Sequence, residues 1–135
     1  MIVLDCSAAV NMVRKTAEGD ALQSLILPGE ETIAPELFYA EAMSALTKYV
    51  KAATMSDREA LYYLKDMVGF VNEFIPTKEN YIEAFHESIR LNHSFYDMLY
   101  LTLARRNCAT LVTLDSKLIK LCKEQGVDCI HKVDC

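Results

Sequence analysis

The sequence predicts an α/β fold: a three-layer α/β/α arrangement with a central, mostly parallel sheet of about five strands, built as a single domain over residues 1–135. Three observations predict it. Two short aliphatic runs, MIVLD and TLVTLD, have the length and branching of buried strands, and each ends on an aspartate. Segments with apolar residues at helical spacing lie between strand-like segments. Capping residues open several of those helical segments, so strands and helices alternate rather than pairing as hairpins.

The elements run in order along the chain. MIVLD is the first strand, and Ser7 can cap the helix in SAAVNMVRK. Gly19-Asp20 breaks the chain, with Asp20 as the cap of ALQSLIL, and Pro28-Gly29 signals a turn. Thr32-Ile33-Ala34 reads as a very short strand, and Pro35 suits the first turn of a helix through PELFYAEAMSALTKYVKAA. Ser56-Asp57-Arg58-Glu59 is a capping box that starts the helix including ALYYLKDMV. Residues 70–75 can hold another short strand before Pro76, and Thr77 caps KENYIEAFHESIRLN. Ser94 caps the next helix, with Asp97 at its third position. LVTL is the clearest internal strand, SKLIKLCKEQ is a helix stopped by Gly126, and VDCIHK is a last strand.

Composition narrows the function classes. A 52% hydrophobic chain of 135 residues can bury one sizeable core. With 4 Gly and 3 Pro there is no evident linker. No stretch approaches the roughly 20 apolar residues of a membrane span, and the start lacks a basic n-region, so no membrane role is expected. Five irregularly spaced cysteines suit a reducing cytoplasm. A net charge of -5 disfavours passive nucleic-acid binding, suits a basic protein partner, and leaves open a nuclease whose metal ions reverse the charge of the site.

Four acids carry the chemistry. Asp5 and Asp115 end two buried strands, where an open α/β sheet places its binding sites. Glu41 sits among Leu37, Phe38, Ser44 and Ala45 on a helix, at the edge of a buried face, where an acid is costly unless paired or metal-bound. Asp97 stands in a first turn. Each has an ordinary alternative: Asp5 as a cap, Lys48 as a partner for Glu41, and Ser94-x-x-Asp97 as a capping box. Gathered together they form a carboxylate cage, and like charges held that close demand a divalent cation. Ser7 can bond Asp5, and Thr113, alternating with Asp115, can orient a ligand or water.

MIVLDCS, APELFYAEAMSAL and FYDMLYLTLARRNCATLVTLDSKL, taken in order, resemble the PIN-domain family of metal-dependent ribonucleases, most closely its small VapC-type toxins. The match runs from residue 1 to about residue 121. The resemblance implies the family's acidic site on Asp5, Glu41, Asp97 and Asp115, with Mg²⁺ or Mn²⁺ as cofactor. It implies cleavage of RNA phosphodiesters, a homodimer, and a small antitoxin partner with a basic DNA-binding head. A PIN-like module that binds without cutting is the alternative. An aspartate-based phosphotransfer domain is a weaker one, because the Asp-x-Asp of haloacid-dehalogenase-like phosphatases is absent after Asp5.

Other features have plainer readings. Cys122, Cys129, His131 and Cys135 lack the paired short spacing of structural zinc sites. Cys6 reads as a packed small hydrophobe rather than a nucleophile, since no motif links it to His86, His93 or His131. Tyr96 and Tyr100 have the spacing of packing residues, and Arg14, Lys15, Lys48 and Lys51 read first as solvated charge. Tyr39, Met43 and Leu46 suit the core, or a dimer or antitoxin groove.

Overall fold

Parallel pairing alone builds the sheet, in the order β3-β2-β1-β4-β5. The computed structural model describes residues 1–132. The strands are β1 (Ile2–Leu4), β2 (Thr32–Pro35), β3 (Glu73–Ile75), β4 (Thr110–Val112) and β5 (Cys129–Ile130). The helices are α1 (Cys6–Val13), α2 (Ala17–Leu25), α3 (Leu37–Lys51), α4 (Asp57–Gly69), α5 (Tyr81–Arg90), α6 (Phe95–Arg106) and α7 (Ser116–Gln125).

Alternation along β1 divides the interior into two cores. Ile2 and Leu4 face one core with residues of α1 to α4, including Phe38, Leu46 and Met67. Val3 faces the other, with Leu99, Leu103, Leu118 and Leu121 of α6 and α7. Residues 98–104 of α6 are all buried, which makes α6 the central helix of its layer.

Chain order reverses at β1. From it the chain steps outward through β2 to β3, then returns to the other side for β4 and β5. The crevice beyond the carboxyl ends of β1 and β4 is therefore a topological switch point, where open α/β sheets bind ligands.

Several local expectations need correction. Ser7 does not cap α1; Asp5 holds the N-cap position, and its side chain makes no cap bond. The cap of α2 is Thr16, accepting the Gly19 N–H, while Asp20 lies in the first turn. Gly19 does not break the chain: it is helical and packs against α1, where a Cβ would lie 2.1 Å from the Asn11 carbonyl oxygen. Pro35 closes β2 instead of opening α3. Thr77 starts a short 3₁₀ turn, and Asn80 precedes α5. The Ser56–Glu59 capping box forms as expected, and Gly126 ends α7 in a left-handed conformation at φ 68°.

Candidate active site

Asp5 leaves β1 at the switch point and is 6% exposed. Two hydroxyls hold one of its oxygens. Ser7 Oγ donates to Asp5 Oδ2 at 2.5 Å, and Thr113 Oγ1 donates to the same atom at 2.6 Å. Each hydroxyl also accepts a backbone N–H from the segment after β4: Leu114 to Ser7, and Asp115 to Thr113, both at 3.0 Å. Each hydroxyl thus joins Asp5 to the backbone of the segment after β4, and the two lie 3.2 Å from each other. Burial still prevails and raises the Asp5 carboxyl above its ordinary value, against the lowering effect of those two bonds.

Glu41 comes from α3 and is half-buried. Its partner is Tyr100, not Lys48: the phenol donates to Glu41 Oε1 at 2.6 Å. Burial pushes the Glu41 carboxyl up to about 7, with Tyr100 opposing and Asp5, Asp97 and Asp115 adding to the rise. Tyr100 is fully buried, and burial followed by the charges of Asp5 and Glu41 holds its phenol protonated.

Asp97 stands in the first turn of α6, but Ser94 accepts the Tyr96 N–H rather than that of Asp97. The Asp97 carboxylate faces His93 Nδ1 at 3.3 Å. Burial, then Asp115, raises its pKa, and His93 offsets part of that. Asp115 caps α7, its Oδ1 accepting the Leu118 N–H at 2.9 Å. Because β4 stops at Val112, strand alternation does not govern Thr113 and Asp115; the bond between the Asp115 N–H and Thr113 Oγ1 sets their relation instead.

Asp5, Glu41, Asp97 and Asp115 line one cavity of about 400 Å³, together with Ser7, Asn11 and Lys48. Among the described residues none of the four pairs with a lysine or arginine. In each of the four, the side-chain bonds and the histidine contact engage a single carboxylate oxygen, so hard oxygen donors remain toward the shared space. Among the described residues no three or more Asp, Glu, His or Cys side chains stand close enough together to hold a metal ion as they are placed. Like charges resist that approach by themselves.

Tyr100 is the site residue that reading the sequence missed, since its spacing with Tyr96 pointed to packing. The signal was its place three residues after Asp97, on the same side of α6. Tyr96 does not pack as expected and is 58% exposed. Cys6 is buried in the core, and burial, then Glu41 and Asp5, push its thiol up, the opposite of an activated nucleophile. Cys122 is buried and Cys129 half-buried, both as free thiols. Cys135 lies outside the described residues, so the four-residue zinc reading extends beyond them.

By fold and site this is a switch-point α/β domain whose crevice is lined with carboxylates. A PIN domain model matches residues 2–124, and the chain belongs to the PIN domain family. Over 118 residues it is 32% identical to Ribonuclease VapC12 of Mycobacterium tuberculosis, covering 87% of this chain and 89% of that protein. The fold is shared with PAE2754 of Pyrobaculum aerophilum at a TM-score of 0.73 and 21% identity, over 95% of this chain and 82% of that one. It is shared too with VapBC2 of Rickettsia felis, solved bound to a DNA fragment from its promoter, at 0.71 and 17%, over 98% and 100%. M. tuberculosis VapC20, a sarcin-ricin loop cleaving toxin, matches at 0.64 and 14%, over 90% and 95%.

Proposed function

We propose that this chain is a divalent-metal-dependent endoribonuclease hydrolysing RNA phosphodiester bonds, the toxin of a toxin–antitoxin pair. One observation carries the reading: four carboxylates from four parts of the chain line one switch-point cavity, and among the described residues none of them forms an ion pair with a lysine or arginine. Membership of the PIN family and 32% identity to a ribonuclease support it.

The donor set fits a hard cation. Carboxylate oxygens suit Mg²⁺ or Mn²⁺, and burial, with the neighbouring carboxylates adding to it, raises the carboxyls of Asp5, Glu41 and Asp97. Asp5 and Asp97 would be the main ligands, with Asp115 and Glu41 completing the shell. When bound, the cation supplies polarisation of the phosphoryl oxygen and a more acidic attacking water. The chain's own residues do the rest. Ser7 and Thr113 fix the Asp5 carboxylate and favour its ionised form. Tyr100 aims Glu41 into the cavity, and the cap bond of Asp115 fixes one of its oxygens at the start of α7. Lys48 lines the same cavity and can bind a phosphate oxygen of the substrate.

The chain works as one domain over residues 1–135, in the cytoplasm. Free Cys6, Cys108, Cys122 and Cys129 support that compartment, and no described helix is long and apolar enough to cross a membrane. A small antitoxin with a basic DNA-binding head is its partner, an assignment supported by the net charge of -5 and by the likeness to VapBC2. A homodimer is supported by the exposed apolar strip of α5, where Tyr81, Ile82, Phe85 and Ile89 are each 46–65% exposed.

The test is RNA cleavage by purified protein with Mn²⁺, with chelator, and with Asp5→Asn and Asp97→Asn. Cleavage should require the metal and vanish in both variants while they stay folded. Full activity in both folded variants would end the assignment.

A further inference from the structure

A second cavity adjoins the acidic one. It encloses about 530 Å³ between the turn that leads into α6 and the outer face of α7, and Asp97 lines both spaces. Its chemistry is different. Lys117 and Lys120, one helical turn apart on α7, line it together with Leu91, Asn92, His93, Ser94 and Leu121. Lys117 is exposed and makes no ion pair or hydrogen bond among the described residues, and it lies near enough to Asp97 for its charge to lower that carboxyl's pKa. Lys120 only leans on Glu124, which also lines the cavity, at 3.8 Å with both side chains at least half exposed. Such a contact is weak and readily exchanged for a phosphate.

The need for cations here arises from the site itself. Four carboxylates repel a polyanion, and the chain as a whole carries a net charge of -5. A strand lying across that crevice must be held by positive charge on each side of it. Lys48 of α3 stands on one side, within the acidic cavity, and Lys117 and Lys120 of α7 stand on the other, beyond Asp97.

We propose that the α6–α7 cavity is an RNA subsite for the nucleotide next to the cleaved bond. Lys117 and Lys120 bind that nucleotide's phosphate, and Leu91 and Leu121 receive its sugar or base. The inference rests on the ribonuclease reading and extends it to a neighbouring cavity that shares only Asp97 with the acidic one. A volume of about 530 Å³ lies in the range of pockets that hold one small ligand. A lysine head is a mobile point charge, suited to a phosphate on a flexible strand. Entry of a base needs an unstacked nucleotide, so the subsite selects single-stranded RNA or a loop.

The experiment compares the Mn²⁺-loaded full chain with Lys117→Ala, the double variant Lys117→Ala/Lys120→Ala, and Lys123→Ala on a single-stranded RNA. Lys123 is exposed on the same helix but does not line the cavity, so it controls for net charge. The double variant should raise KM roughly 10-fold, with a smaller change in kcat and no loss of Mn²⁺ affinity, since removing the Lys117 charge beside Asp97 does not weaken a cation site. The slope of log(kcat/KM) against log salt should fall by about 0.7 in the single variant and about 1.4 in the double one. Lys123→Ala should match the parent. Unchanged KM and salt slope in the double variant would overturn the subsite, including the case where these lysines serve an acidic peptide instead. So would an equal loss in Lys123→Ala. If the parent itself neither binds nor cuts RNA with Mn²⁺, the ribonuclease reading fails and the subsite falls with it.

Discussion

At the carboxyl end of α6, Arg105 donates to Glu83 at 2.6 Å and to Glu87 at 2.9 Å, and Arg90 grips Glu87 through two bonds. At the amino end of the same helix, Asp97 shares a cavity with Asp5, Glu41 and Asp115, and no arginine or lysine pairs with any of them among the described residues. The ionisation of the two groups diverges accordingly. The Arg90 bonds, aided by Arg105, hold Glu87 down at about 2, while burial pushes Glu41 up to about 7. Glu87 is 8% exposed, and the cost of its burial is outweighed by the bonds and charges of Arg90 and Arg105. α6 thus joins two kinds of acid: Glu83 and Glu87 of α5, satisfied by arginines, and Asp97 with its cavity neighbours, which have no such partner among the described residues. The second kind is what a cation site requires.

The largest expected effect falls at the unsatisfied end. Asp5→Asn should lower Mn²⁺-dependent RNA cleavage by roughly 10³-fold or more, because it removes a ligand for several kcal/mol of charge stabilisation. Gel analysis of product formation checks it. Activity within a few-fold of the parent would place the chemistry elsewhere.

Positioning residues come next. Tyr100→Phe and Thr113→Val should each cost about 10–100-fold in activity and Mn²⁺ affinity, the range for groups that orient a metal ligand. Loss of activity with unaltered Mn²⁺ affinity would instead mean that these bonds serve the substrate.

The pH response should separate the two ends by sign. Glu41 binds its proton more tightly folded than unfolded, so its contribution to stability is full below 4.5 and is lost as pH rises toward about 7. Glu87 does the reverse: its contribution is present above 4.5 and is lost as pH falls toward about 2. Metal-free protein should therefore melt at a higher temperature near pH 5 than near pH 7.5. Glu41→Gln should flatten that difference, and saturating Mn²⁺ should cancel it by favouring the ionised carboxylates. A melting temperature that rises from pH 5 to 7.5 in the absence of metal would break the contrast.

The smallest effect is at the satisfied end. Glu87→Gln should cost about 1 kcal/mol of stability, since exposure of its arginine partners screens the network. RNA cleavage should be unchanged. Chemical denaturation and the cleavage assay together check it, and a catalytic defect without a stability loss would contradict the division between the two ends.

Much of this arrangement was legible in the chain because it depends on local pattern. The strand runs before Asp5 and Asp115, the capping box at Ser56, and Gly126 after SKLIKLCKEQ carry their structural meaning within a few residues. What escaped depends on contacts between distant segments. The Ser7 hydroxyl could cap its own helix or turn toward Asp5, and only the approach of the segment after β4, through Leu114 N–H, decides that. Gly19 reads as a breaker until Asn11 is packed against it. Tyr100 looks like ordinary core until α3 brings Glu41 within 2.6 Å of its hydroxyl. The lysines of α7 stand out in no sequence motif, and only Asp97 as a shared wall ties their cavity to the acidic one.

The most direct test is equilibrium binding of Mn²⁺ at pH 7.5, read by the loss of the free-ion electron paramagnetic resonance signal. Saturable binding by the parent, abolished in Asp5→Asn and Asp97→Asn and retained in Glu87→Gln, is the predicted result. No binding at millimolar Mn²⁺, or equal binding in all four proteins, would show that the unpaired carboxylates are not held for a cation.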